Sequence, residues 1–241
     1  MRRFFRNNGL SIVLLLTFIA TMVGQTFTGL REYNGSRRDH GSSEVSLGDY
    51  LRTGHFWEAT AENWESEFLQ MSMFVLLTAW LYQKGSAESR DPDREEAVDN
   101  DPRLSRFAPN APAPVRKGGW VLWLYSHSLS IAFLLLFLLS FAIHAVGGAR
   151  EYSEVQREHG QPGVTSLQYL RTSRFWFESM ENWQSEFLSL LAMVVFTIFL
   201  RERGSPESKP VASPHWENGE DDPKLIPVPV DGSREPVAQP A

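Results

Sequence analysis

Residues 6 to 90 recur at 125 to 209 with a constant offset of 119 and no gap, so whatever fold this chain adopts must be built from two copies of one unit. Over the most similar block, 31 to 69 against 150 to 188, 20 of 39 positions are identical. Unrelated sequences of ordinary composition would share roughly two or three. Within one chain the duplication takes the place of a small alignment, because residues kept in both copies are ones that a shared architecture or a shared chemistry retains.

The chain is 22% charged, yet its apolar residues are segregated into blocks. Leu10 to Leu30 is 21 residues without a charge, and at about 1.5 Å rise per residue it covers a hydrocarbon layer of roughly 30 Å. Its counterpart, Leu124 to Ala149, is uncharged unless a histidine is protonated. Two shorter apolar runs follow at matched positions, Phe68 to Tyr82 and Phe187 to Leu200. Each gains length from the helix-compatible stretch before it, Phe56 to Glu67 and Phe175 to Glu186. The expected fold is all-α, a membrane protein of four transmembrane helices made from two tandem, parallel two-helix repeats. Its divisions are a first repeat over 1–90, a disordered linker over 91–118, a second repeat over 119–209 and a disordered tail over 210–241. The basic start and first apolar run are not read as a removable signal, since the run is long, no A-x-A site follows, and the segment recurs in mid-chain.

Lys and Arg number three before the first helix, seven in 83–118, five after 200 and four in each remaining loop. This places both termini and the linker in the cytoplasm, and the loops 31–62 and 150–181 outside. Thirteen of the fourteen prolines fall in 92–114 or 206–240, which is the basis for expecting disorder there. The apolar helices contain none, so the broken-helix ion sites of many transporters have no support. Absence of cysteine removes disulfides, thiol catalysis and thiolate metal sites together. A net charge of -6 without a basic cluster gives no reason to expect nucleic acid as a partner. The expected surroundings are a lipid bilayer, with a second copy or another membrane protein as partner.

Several motifs occur twice. Arg31-Glu32-Tyr33 and Arg150-Glu151-Tyr152 follow the first helix of each unit. They suit a snorkelling arginine and an interfacial tyrosine, or an arginine fixed opposite an acid of the next helix. Glu62-Asn63-Trp64-x-Ser66-Glu67-Phe68-Leu69 recurs as Glu181-Asn182-Trp183-x-Ser185-Glu186-Phe187-Leu188. Trp64 and Trp183 are candidate interfacial anchors, and Glu67 and Glu186 enter the membrane where a carboxylate needs a partner. Gln25 and His144 occupy equivalent positions before the arginines. Arg31, Glu67, Arg150, His144 and Glu186 therefore form a candidate polar layer at the outer end of the bundle, with the arginines as partners of the glutamates. It could hold a cation or relay a proton, or it could be an interhelical hydrogen-bond layer. His40-Gly41 and His159-Gly160 are read as turns with glycine at positive φ, and Thr53 as a helix cap. Ala20, Gly24 and Thr28 suggest close helix contact.

No nucleophile–base pair, phosphate loop, cofactor motif or complete metal-ligand set is legible, so the chain is not expected to be an enzyme. The Arg-Glu-Tyr exit, the Tyr-Leu-Arg-Thr and Phe-Trp loop end, and Glu-Asn-Trp-x-Ser-Glu-Phe-Leu resemble a bacterial domain family of unknown function made of small integral membrane proteins. That resemblance implies a multi-pass protein of the bacterial cytoplasmic membrane and no activity. The first expectation is a non-enzymatic structural or interaction protein. The alternative is a small proton or cation channel or carrier.

Overall fold

The computed structural model describes residues 2 to 219. Its elements are α1 (Arg2–Asp39), α2 (Leu47–Tyr50), α3 (Gly54–Thr78), α4 (Ala113–Lys117), α5 (Gly119–Ser126), α6 (Ser128–Glu158), α7 (Ser166–Tyr169) and α8 (Ser173–Phe199), with 3-10 turns at 97–99 and 102–105. No strand occurs among the described residues. The described residues divide into two compact units, one of 2–73 with 127–187, the other of 74–126 with 188–219.

In the first unit, local chemistry sets the helix ends, and it does so twice at the same spacing. Gly41 and Gly160 both have φ of 70°, the left-handed conformation that glycine adopts without penalty. Ser42 N–H donates to Arg37 O at 2.8 Å and Gln161 N–H to Gln156 O at 2.8 Å, satisfying carbonyls that a helix C-terminus would leave open. Thr53 Oγ1 accepts from Phe56 N–H at 3.2 Å, and Thr172 Oγ1 from Phe175 N–H at 3.3 Å. The glycine turns and the threonine cap are thus where the sequence puts them. Asn8 interrupts the helical conformation near the start of α1.

The side chains of this unit are arranged inside out. Thr60, Glu65, Ser66, Ser72, Ser140 and His144 are buried, whereas Leu14, Leu15, Leu16, Leu135 and Leu138 are exposed. Water would penalise a surface of that extent, and hydrocarbon would not. Three helices, α1, α6 and α8, are long and apolar enough to cross a membrane. The expected fourth, α3, is 25 residues long, or about 38 Å. Its Glu58, Glu62, Glu65 and Glu67 keep it outside the same compositional limit.

Glycines let the helices meet at backbone distance. A Cβ on Gly147 of α6 would lie 2.8 Å from Glu58 N and 3.2 Å from Trp57 Cβ of α3, and one on Gly54 would lie 2.7 Å from Gly147 O. One residue on, Gly148 faces the Tyr169 ring, and at the equivalent place in the first copy Gly29 faces Tyr50. Burial, then the charge of Glu32, pushes the Tyr50 phenol up to about 12. Of the sequence-derived small-residue stripe, Gly24 meets nothing within 4 Å, so the close approach lies elsewhere. Gly147→Leu should cost about 1–3 kcal/mol or more, because backbone lies where the side chain would go. Gly24→Leu should be neutral within about 0.5 kcal/mol. Thermal unfolding of the two variants in detergent checks this, and equal melting temperatures would refute close α3–α6 packing.

The second unit is organised by polar side chains. Asn218 Oδ1 accepts from Gly85 N–H at 2.7 Å, while its amide donates to Ser89 O at 2.6 Å and Arg90 O at 3.0 Å. The Ser86 and Thr197 hydroxyls are 2.9 Å apart. Lys209 Nζ donates to the carbonyls of Pro214, His215 and Glu217 at 3.3, 3.2 and 2.8 Å. Burial, then the charge of Arg201, pushes that amine down to about 8. The segment 91–118, expected to be disordered, contains the two 3-10 turns and α4, with Asp101 capping the second turn through Arg103 N–H. Of the expected disordered tail, 220–241 lies outside the described residues.

Candidate functional site

Glu58, Glu62 and Glu65 follow one another at i, i+4 and i+7, which puts three carboxyls on one face of α3. Glu58 and Glu65 are buried. Such a face cannot be stable unless neighbouring elements supply donors. Here α6 supplies His144, α7 supplies Tyr169, and α8 supplies Arg174, Ser179 and Trp183 together with a further acid, Glu178.

His144 is the centre of the arrangement, with no solvent exposure at all. Its Nδ1 lies 2.8 Å from Glu65 Oε2, and its Nε2 lies 3.5 Å from Glu178 Oε2. Phe175 stacks on the imidazole with ring centroids 4.7 Å apart and fixes its plane. Glu65 Oε1 accepts from Ser179 Oγ at 3.2 Å and from Trp183 Nε1 at 3.1 Å. Glu178 accepts from Arg174 Nε at 2.7 Å, and the second arm of Arg174 reaches Glu58 Oε1 at 3.4 Å. Tyr169 OH lies 2.5 Å from Glu178 Oε2 and 3.0 Å from Glu58 Oε1.

Proton counting constrains the chemistry. A phenol has one proton, so Tyr169 can donate to one of its two carboxyls, and the other contact requires a proton on that carboxyl. Burial, then the charge of Glu58, holds the Tyr169 phenol far above its ordinary range, so it remains protonated. Glu65 Oε1 accepts from the Trp183 indole, which can only donate, and also from the Ser179 hydroxyl, which suits an ionised carboxylate, and His144 Nδ1–H is then its third donor. The lone pair of neutral His144 is thereby placed on Nε2. That atom is buried and has no hydrogen-bond partner. His144, Glu62 and Glu178 each offer a ligand atom, all within 4.8 Å of one another.

The structure redistributes the residues of the expected polar layer. Gln25 Nε2 donates to Thr60 Oγ1 at 3.3 Å, and the Phe18 ring sits 6.2 Å from that of Trp64, which fixes the antiparallel register of α1 and α3. Glu67 is thus level with about residues 15 to 18 of α1, some 20 Å along the axis from Arg31. In the second copy, Phe141 meets Phe175 and Phe137 meets Trp183. Glu186 is thus level with about residue 134, some 25 Å from Arg150. Both arginines are exposed, about two turns before the ends of α1 and α6, while Glu67 and Glu186 line an apolar cleft of about 530 Å³ with Phe18, Trp64 and Phe68. The five residues do not form one layer, because their helices run antiparallel and carry arginine and glutamate apart. Only His144 belongs to the buried cluster. Trp183, expected as an interfacial anchor, gives its indole N–H to Glu65, and Trp64 lies against Phe18 within the helices.

Glu58, Glu62, Glu65, Tyr169, Arg174 and Glu178 were not singled out as site residues by the sequence motifs. With the exception of Tyr169 and Glu62 they occupy positions where the copies differ: Glu58 faces Phe177 in the alignment, Glu65 faces Gln184, Arg174 faces His55 and Glu178 faces Ala59, as His144 faces Gln25. The equivalent positions lack three of the four acids, keeping only Glu181 for Glu62. There Gln25 bonds Thr60, and Tyr50 OH lies 3.2 Å from His55 Nδ1. The signal available in the sequence was divergence between copies at ionisable residues, not identity.

The chain belongs to the family described as Domain of unknown function (DUF6766), which matches residues 1–220 and so takes in both copies. No curated protein and no solved structure matches the chain.

Proposed function

We propose that this family member is a non-enzymatic, multi-pass protein of the bacterial cytoplasmic membrane whose buried carboxylate–histidine network binds and exchanges a small cation. The observation that carries this is the imbalance of the site: Glu58, Glu62, Glu65 and Glu178 gather around one guanidinium and one imidazole. An excess of negative charge withdrawn from water is costly, and a proton or a metal ion is the smallest group that removes it. The donors are carboxylates and an imidazole, a set suited to a small ion. This favours the cation alternative over a purely structural or interaction role, with the site moved from the expected outer layer to the α3–α6–α8 cluster.

The same burial supports α3 as a fourth span. Its Glu58 and Glu65 meet donors of the second copy, and Glu62 lies beside His144 and Glu178, so this acidic face is not offered to lipid. With four spans, two tandem repeats are parallel and both termini are cytoplasmic, in line with the Lys and Arg distribution. A reporter active only outside the cytoplasm should work when fused near Gly41 or Gly160 and fail near Pro102 or Pro214. Equal activity at Gly41 and Pro102 would remove α3 as a span. For the activity, purified protein in liposomes should move protons or cations, and His144→Gln should reduce the flux at least about tenfold while His40→Gln, at an exposed turn, leaves it unchanged. A folded wild-type protein that moves neither would overturn the exchange reading.

A further inference from the structure

We propose that His144, Glu62 and Glu178 form a binding site for a divalent transition-metal ion, with Glu65 as the carboxylate that orients the histidine. The proposal rests on the cation reading above and names the cation.

Three independent features of the geometry point to it. The first is the ligand set: one imidazole nitrogen and two carboxylate oxygens, all within 4.8 Å of one another. An ion about 2.0–2.2 Å from each atom would hold them about 3.4 Å apart in tetrahedral geometry, so the site need close by no more than about 1.4 Å. The second is the unsatisfied nitrogen. His144 has no solvent exposure, its Nε2 is without a hydrogen bond, and the nearest acidic oxygen stands off at 3.5 Å. With Nδ1–H committed to Glu65, two lone pairs face each other across that gap, an arrangement that repels unless an electron-pair acceptor lies between them. The third is the support behind the ligands. A metal-ligating histidine characteristically gives its other N–H to a carboxylate, and ligating carboxylates are themselves hydrogen-bonded. Here His144 has Glu65, Glu65 has Ser179 and Trp183, and Glu178 has Arg174 and Tyr169.

Charge agrees with the valence. Four carboxylates are offset by Arg174 and by one proton shared in the Tyr169–Glu58–Glu178 triad, leaving two negative charges beside a neutral imidazole. A divalent ion carries the complement. The imidazole selects against magnesium and calcium, which prefer oxygen alone, and the lack of thiolate leaves zinc, manganese, iron, cobalt and nickel as the class. Three protein ligands leave one position open, as an exchangeable site requires.

The test is titration of metal-stripped, untagged full-length protein in detergent with Co²⁺, read by its visible d–d absorption, and with Zn²⁺, read by calorimetry. One ion per chain should bind. Glu62→Gln and Glu178→Gln should each weaken binding at least about tenfold, Glu65→Gln by roughly 10–100-fold, and His159→Gln not at all. Circular dichroism on each variant separates lost ligands from lost folding, and Glu62, half-buried and outside the Tyr169–Arg174 pairings, is the variant that keeps the fold. Folded wild type that binds neither ion, or binding unchanged in Glu62→Gln and Glu178→Gln, would overturn the site. Proton flux without metal binding sinks the metal and leaves the cation reading standing, whereas stoichiometric binding without any flux leaves the site and sinks the exchange.

Discussion

Glu65→Leu is expected to destabilise the protein by about 3–5 kcal/mol, the cost of breaking a buried, hydrogen-bonded charged group from one side. Glu65 has no solvent exposure, and its two oxygens take bonds from His144, Ser179 and Trp183. Leucine fills the space and accepts nothing, so three donors lose their partner at once in a place water does not reach. The double variant Glu65→Leu, His144→Leu should recover much of the loss, because replacing both members of a buried pair by apolar groups is often close to neutral. The control is built into the duplication: Gln184, the equivalent of Glu65, is exposed, and Gln184→Leu should change stability by less than about 0.5 kcal/mol. Thermal unfolding in detergent measures all three. A Glu65→Leu protein that unfolds like Gln184→Leu would mean that the His144 cluster is not formed.

The legible part of this molecule was whatever both copies spell out locally. Helix ends could be read because Gly41 and Gly160, Thr53 and Thr172 act on backbone a few residues away, and the reach of such a group is the reach of a motif. Apolar blocks showed α1, α6 and α8, since a span is a property of consecutive residues. The site was not legible for two physical reasons. Its members approach from four elements and are joined by the α3–α6 crossing at Gly54 and Gly147, a contact that leaves no trace in spacing. And depth was misjudged: Arg31 and Glu67 adjoin the same loop in sequence, yet each further residue along antiparallel helices adds its rise to their separation. The shared residues describe the scaffold, and the unshared ionisable ones, Glu58 and Glu65 in the first copy and His144, Arg174 and Glu178 in the second, mark where the copies diverged in charge.

Arg174 tests that last point directly. It is the guanidinium between Glu178 and Glu58, and it also lies 5.7 Å over the Tyr152 ring. Arg174→Met keeps the length of the side chain and removes the charge, leaving Glu58 and Glu178 with Tyr169 and one shared proton but no cation. Because the arginine side chain is 38% exposed and Glu58 only 8%, part of the penalty is relieved by water, and we expect a loss of about 1–3 kcal/mol at neutral pH. Adding Glu58→Gln should return most of it, since an amide has no charge to strand. The deficit should also shrink as pH is lowered, because a protonated carboxyl needs no counter-ion. Arg174→His recreates the residue of the first copy at this position, where His55 is held between Tyr50 and the largely exposed Glu32. Lacking a fixed charge and a planar fork, it should restore little at neutral pH and more under acid conditions. If Arg174→Met is as stable as wild type and Glu58→Gln adds nothing to it, the two carboxyls do not depend on Arg174, and the asymmetric charge of the second copy serves neither the fold nor the cation site.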